Sequence, residues 1–266
     1  MIQLSAIDLA LAATLVLGLA GLSLRVHRDL SRQIVIAALR TTVQLLLVGL
    51  ILKALFQYAE FPWILLMASI MVLAAGREVM SRQERRFAGW WGFGVGTVSM
   101  FLSSFSVTLF ALHAIIQTTP WYEPQYAIPL LGMLLGNTMN GIAIAMDRLT
   151  QGVWLRRREI EAQIMLGHSA VSAMRSQRYD AVRSGMIPII NAMAAAGIVS
   201  LPGMMTGQIL AGAPPVEAVK YQILIMFLIA VGTGLGTLAA VWAGSRRLFD
   251  GRQRLRLDRL STPNPR

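Results

Sequence analysis

Seven long apolar runs constrain this chain more than any other feature. They cover residues 4–24, 34–56, 61–76, 88–116, 126–146, 187–211 and 221–244. Most approach the ~20 residues that an α-helix needs to cross ~30 Å of hydrocarbon. The third is short and is read as continuing into the helical stretch 77–81. Only 14% of the residues are charged, against about 25% in a soluble domain, too few to solvate a water-facing surface. The expected fold is an all-α polytopic membrane protein with about seven transmembrane helices. The first run reads as a retained helix, because Arg25 follows it, whereas a secretory signal carries its basic residues in front.

The connections between runs give an orientation. Segments 25–33, 77–87, 147–186 and the tail after 244 hold 21 of the 24 Lys and Arg residues. Segments 53–60, 117–125 and 212–220 hold two, Lys53 and Lys220, and Arg40 lies within a run. By the positive-inside rule the N-terminus is expected outside and the C-terminus in the cytoplasm. That bias accounts for the net charge of +11 without nucleic acid. Residues 1–244 then form a transmembrane domain that includes a cytoplasmic loop, 147–186. Residues 245–266 form a basic cytoplasmic tail, read as a short helix that frays at Thr262-Pro263-Asn264-Pro265 and is drawn to anionic lipid headgroups.

Several chemistries are excluded. There is no Cys, and His27, His113 and His168 lie far apart in sequence, so thiol chemistry is absent and a His-built metal cage is disfavoured. Neither Lys53 nor Lys220 precedes Ser or Thr, so the chain has no P-loop, and ATP, if used, must be bound by another subunit. No nucleophile–base constellation stands out, and the chain is not expected to be an enzyme by itself.

Polar groups inside spans mark either helix packing or a pathway. Arg40 and Gln44 are one turn apart in the second run, and Arg40 either snorkels, pairs with a carboxylate or lines a route. Asn137 and Asn140 share a face of the fifth, and Asn191 opens the sixth. Pro202-Gly203 interrupts the sixth run, which predicts a kink that leaves carbonyls near 198–199 without donors. Ser200, Met204, Met205, Thr206 and Gln208 cluster there, with Met204 and Met205 as weak metal-ligand candidates; Met more often fills space. Glycine pairs Gly92/Gly96, Gly132/Gly136, Gly203/Gly207 and Gly232/Gly236 fit either internal helix packing or dimerisation.

In loop 147–186, Ile160, Ile164, Leu166/Gly167, Val171 and Met174 recur near helical period and predict an amphipathic helix over 159–174. Such a helix lies on the membrane or docks into a partner's groove. Gly167 in its middle costs ~1 kcal/mol relative to Ala, which suggests a turn or a close backbone approach there. A second helical stretch, 176–184, leads to Pro188, expected near the first turn of the sixth span.

Glu161-Ala162-x4-Gly167 resembles the E-A-A-x3-G motif of ABC-transporter permeases, with Gln163 in place of the second Ala. The stretches Leu130-Leu131-Gly132-Met133-Leu134-Leu135-Gly136-Asn137-Thr138-Met139-Asn140-Gly141, Arg183-Ser184-Gly185-Met186-Ile187-Pro188 and Gly197-Ile198-Val199-Ser200-Leu201-Pro202-Gly203-Met204-Met205-Thr206-Gly207-Gln208 resemble FetB/YbbM-type permeases. So does Arg40-Thr41-Thr42-Val43-Gln44-Leu45.

The resemblance implies an inner-membrane permease subunit, working as a homodimer with a separate ABC ATPase that carries ATP and Mg. Glu159, Glu161, Ala162, Gly167 and Arg183 would couple to that ATPase. Iron as exported substrate, and aluminium tolerance in plant relatives, come from the resemblance alone. The alternative is a stand-alone secondary transporter or channel, which would be expected to place acidic or His residues within the spans; these are scarce here.

Overall fold

The computed structural model describes residues 5–24, 28–58 and 60–261. Arg25 and the 262–265 stretch read as fraying lie outside them. The chain divides into two compact units, Met1–Glu60 and Phe61–Arg266. The first contains α1 (Ala6–Leu24) and α2 (Arg28–Tyr58), which pack against each other.

The second unit contains α3 (Phe61–Ser81), α4 (Trp90–Phe110) with a π-helical continuation (Ala111–Ile116), and α5 (Pro124–Leu155). After these come α6 (Arg157–Met165), α7 (Ala170–Ala173), α8 (Arg175–Ala195), α9 (Gly203–Leu210) and α10 (Pro215–Arg247). Among the described residues, six helices are long and apolar enough to cross a membrane: α1, α2, α3, α4 with its continuation, α5 and α10. The seventh expected span, 187–211, is not one helix. It is divided between α8 and α9, with residues 196–202 non-helical.

Helix α5 is the hub, and α3, α4, α8 and α10 all pack on it. Leu134, Ile142 and Leu149 recur along one side of it and are 0% exposed. At 32 residues it is about 48 Å long, well beyond the ~30 Å hydrocarbon layer. Its last turns therefore project past the membrane, where Leu149, Thr150 and Val153 are still buried. The expected loop 147–186 thus begins inside a helix.

Small residues set the helix spacing. A Cβ on Gly185 would stand 2.5 Å from the Gly141 carbonyl oxygen, and one on Gly141 would stand 2.6 Å from Thr233. Backbones of α5 and α8 therefore meet at these two glycines, as small residues allow in lipid. Gly92, Gly96, Gly132, Gly232 and Gly236 are also crowded by neighbours within the chain, which settles their role as internal packing. Gly136, Gly203 and Gly207 face open space.

The two ends of this unit differ in chemistry. At one end Phe61 packs on Trp121 and Tyr122, with centroids 5.8 and 5.4 Å apart, and His113 lies 5.2 Å from Trp121. At the other, arginines stack on indoles: Arg85 over Trp154 at 4.0 Å, Arg246 over Trp242 at 4.3 Å and Arg247 over Trp91 at 4.6 Å. Aromatic rings collect at membrane–water interfaces, so these layers mark the two faces.

The tail is not the expected short helix. Helix α10 runs to Arg247, and the chain then folds back as a strap. Backbone N–H groups of Ala88 and Ser261 donate to the carbonyls of Arg259 and Arg86 at 2.8 Å each. Leu248 and Leu260 are buried beside Phe87 in the main core cluster. These apolar anchors, spaced through a basic stretch, are what turns a tail into a packed element.

Candidate functional site

The α6–α8 segment sits at the Arg-rich end and is braced from below. Ile160, Ala173, Met174 and Ala181 are buried in the same cluster as Leu149 and Val153 of α5. Helix α6 does not run on to Met174 as its period predicted. It ends at Met165 in a Schellman motif: Gly167 N–H donates to Ile164 O at 2.9 Å and His168 N–H to Gln163 O at 3.0 Å. Gly167 sits at φ +90°, a conformation open to glycine. A Cβ there would meet nothing within 4 Å, so of the two sequence-based explanations the turn is the one observed.

The turn exposes apolar side chains. Met165 and Leu166 are 81% and 80% exposed and Val171 is 65% exposed, although the helical period would have buried Leu166 and Val171. Glu159, Glu161, Ala162 and Arg183 are all exposed. Glu159 and Gln163 of α6 face Arg175 and Tyr179 of α8 across a groove of about 420 Å³. The strap touches this region, since Ala170 N–H donates to Gln253 Oε1 at 2.8 Å. In the strap, the N–H groups of Arg254 and Arg252 hold the Asp250 carboxyl below its usual range. The Arg256 side chain does the same to Asp258, and that pairing raises the Arg256 guanidinium.

Helix α8 passes straight through Pro188, which lies inside it and not in a first turn. It stops at Ala195. Gly197 takes φ +84°, its N–H donates to Ser200 O at 2.9 Å, and Ala195 O receives the N–H groups of Val199 and Ser200 at 3.0 and 3.1 Å. The expected kink at Pro202 is therefore a complete break, made by the glycine turn before it. Pro202 instead precedes the first turn of α9, where its missing N–H costs nothing. The turn presents Ile198 and Val199, 89% and 82% exposed, and the Ser200 side chain is exposed beside them.

On α9, Thr206 Oγ1 donates to Pro202 O at 3.2 Å, and Met204 packs against the apolar cluster of Ile189, Ile225 and Ile229. Met204 is partly buried there, and Met205 is half-buried outside that cluster. Gln208 Oε1 is buried with no partner among the described residues. No group of three or more His, Asp or Glu residues suited to a metal ion occurs among the described residues.

Asn137 and Asn140 lie on an exposed face of α5, and Asn191 lies on an exposed face of α8. Asn137 turns back onto Met133 O at 2.8 Å. Asn140 Oδ1 accepts from the Arg82 guanidinium, which also pairs with Glu78 at 3.3 Å. Below lies a cleft of about 360 Å³ lined by Arg82, Asp147, Arg148, Gln151 and Ser184. Glu84 N–H donates to Asp147 Oδ1 at 2.8 Å, and Gln151 bridges Glu84 and Asp147 at 2.9 Å each. Sequence reasoning missed this network; the i, i+4 spacing of Asp147 and Gln151 is its one local signal. Arg40 and Gln44 lie exposed on α2 in the first unit.

Comparison with known proteins agrees with this architecture. The family model described as "Uncharacterised protein family (UPF0014)" matches residues 6–249. The UPF0014 membrane protein slr1647 of Synechocystis sp. is 40% identical over 232 residues, covering 85% of this chain and 87% of that protein. The probable iron export permease protein FetB of Escherichia coli is 29% identical over 255 residues, covering 93% of each. Protein ALUMINUM SENSITIVE 3 of Arabidopsis thaliana is 29% identical, covering 86% of this chain and 82% of that protein. No solved structure matches. With nearly its whole length matched and six membrane-length apolar helices, the chain is a multi-pass integral membrane protein that belongs to the UPF0014 family.

Proposed function

We propose that this chain is the permease subunit of an ATP-driven exporter of metal ions, iron among them. A separate ABC ATPase binds ATP and Mg and docks on the α6–α8 segment, with the Arg-rich end in the cytoplasm. The observation that carries this reading is the Met165-Leu166 turn. It is apolar, exposed and closed by the hydrogen bonds of the Gly167 motif at the end of α6, which packs on the last turns of α5. Ordered, rigid anchors lose little entropy on docking. The likeness to FetB supplies export and iron.

Two copies form the translocating unit. Asn137, Asn140 and Asn191 are costly against lipid tails, and they lie exposed at the depth of the spans. Gly136, Gly203 and Gly207 have open space beside them. A second copy packed on α5, α8 and α9 would cover these groups and enclose a polar route between the protomers. Ser200, Met205, Thr206 and Gln208 then stand beside that route. The chain performs no chemistry itself.

The test is reconstitution with the P-loop ATPase encoded nearest to its gene. Proteoliposomes of the pair should hydrolyse ATP and move Fe(II) only when both are present. Fe(II) movement without any ATPase would establish a stand-alone transporter instead.

A further inference from the structure

We infer that the groove between the start of α4 and the end of α10 is a specific binding site for an anionic glycerophospholipid. Trp90, Trp91, Gly94, Val98, Ser99 and Ala243 line a space of about 370 Å³ with almost no polar surface. From Trp91 to Ser99 it extends about 12 Å along α4. A slot of that length and apolar lining suits one acyl chain. Gly94 keeps it open, since a Cβ there would touch nothing within 4 Å.

The mouth of the groove lies at the Arg-rich end and is built for a phosphate. Arg247 stacks on Trp91 and Arg246 on Trp242, with guanidinium carbons 4.6 and 4.3 Å from the ring centroids. Stacking fixes the plane of each guanidinium and leaves its edge of N–H donors free. Neither arginine is paired with a carboxylate among the described residues. Helix α4 begins at Gly89, two residues before Trp91, with no side-chain cap on its first N–H groups. The negative end of α10 offsets only about half a charge, which leaves the two arginines dominant. Trp90, 87% exposed, stands at the level where indoles meet headgroups. Charge and donors above an apolar slot favour a phosphodiester with an acyl chain over a zwitterionic headgroup, as basic pockets between spans do.

The purified chain, exchanged into mixed micelles of phosphatidylglycerol and phosphatidylcholine with identical acyl chains, can be weighed by native mass spectrometry. We expect one retained phosphatidylglycerol per chain in preference to phosphatidylcholine. Retention should fall about thirtyfold in R246Q/R247Q, at ~1 kcal/mol per arginine near the headgroups. It should fall as well in Gly94→Leu, which fills the slot without touching charge. R158Q/R252Q removes the same charge elsewhere at this end and should retain the lipid. Melting of each variant by Trp fluorescence establishes that it is folded. Three outcomes overturn the site: no headgroup preference in the unaltered chain, full retention in Gly94→Leu, or equal loss in R158Q/R252Q. Should Gly94→Leu fail to fold, Val98→Trp fills the same slot from its exposed side and decides the question.

Discussion

The guanidinium of Arg82 donates to Asn140 Oδ1 and so ties the end of α3 to the exposed face of α5. Measured along α5, Asn140 lies about 24 Å from Pro124, where the helix starts just after Tyr122, which packs on Phe61 in the aromatic layer at the opposite face. It therefore sits near the inner limit of the hydrocarbon, where a charged donor restrains the polar face.

The first prediction concerns this pair. A hydrogen bond to a charged group contributes about 1.5–3 kcal/mol when buried. Here Arg82 is half exposed, and about 1 kcal/mol is the fair discount. Arg82→Gln and Asn140→Ala should each lower the melting temperature by about 2–4 °C. The double variant should melt with Arg82→Gln, because that single variant already loses the Asn140 bond along with the Glu78 pair. Additive losses in Trp-fluorescence melts would show that the two residues act independently.

The second prediction concerns the turn after α6. Gly167 has room for a side chain but not the dihedral for one. Gly167→Val should cost about 1–2 kcal/mol locally and unwind the end of α6, leaving the spans intact. Gly167→Asn, which tolerates that region, should keep the turn. On the proposed function, ATPase binding is lost in the first and kept in the second. Equal binding by both in a pull-down with the purified ATPase would remove the turn from the interface.

The third prediction is a pH dependence of the strap. Backbone donors from Arg254 and Arg252 depress the Asp250 carboxyl, so its folded pKa lies below its unfolded value. Its contribution to stability is therefore full above the unfolded pKa near 4. It is lost as pH falls through the lower, folded value. Below about pH 4 the strap should loosen and Gln253 should release the Ala170 N–H. Hydrogen exchange at Ala170 and Arg254, corrected for intrinsic rates, should show protection at pH 6 and its loss at pH 3. Asp250→Asn should show that loss at pH 6. Constant protection across this range would mean that the strap holds without the Asp250 carboxylate.

Hydropathy made six spans legible because lipid imposes a length and a composition on each of them. The seventh failed for an equally physical reason. Gly197 and Pro202 were both visible, but the helix yields at the glycine turn, where Ala195 O accepts three N–H groups, and not at the proline. Periodicity over 159–174 placed Ile160 and Met174 correctly in the core. It misplaced Leu166, which already caps the end of α6, and Val171, which follows the glycine turn at φ +90°. The Arg82–Asn140 bond spans 58 positions and the Gly141–Gly185 crossing spans 44, read from their numbers. No local pattern announces contacts of that range. The exposed asparagines were legible as polar groups in apolar runs, whereas their shared openness needed the packing around them.

The last prediction separates glycines that look alike in sequence. Gly185 and Gly207 each sit in a small-residue setting, yet their surroundings are opposite. A Cβ on Gly185 would strike the Gly141 carbonyl oxygen at 2.5 Å, and backbone cannot move aside as a side chain can. Gly185→Val should therefore cost at least the 1–3 kcal/mol typical of overpacking and prevent recovery of folded chain. A Cβ on Gly207 meets nothing within 4 Å, so Gly207→Val should fold and melt near the unaltered protein, apart from about 1 kcal/mol of propensity change. Its effect should appear only in assembly. If a second copy covers α9, the added isopropyl group holds the two surfaces apart and the dimer weakens. Size-exclusion chromatography with light scattering in detergent should then show the monomer for Gly207→Val, whereas Gly49→Val, likewise open but on α2 in the other unit, should leave the dimer in place. A Gly207→Val chain that still dimerises like the unaltered protein would move the interface away from α9. The polar face of α5 and α8 would then need another cover.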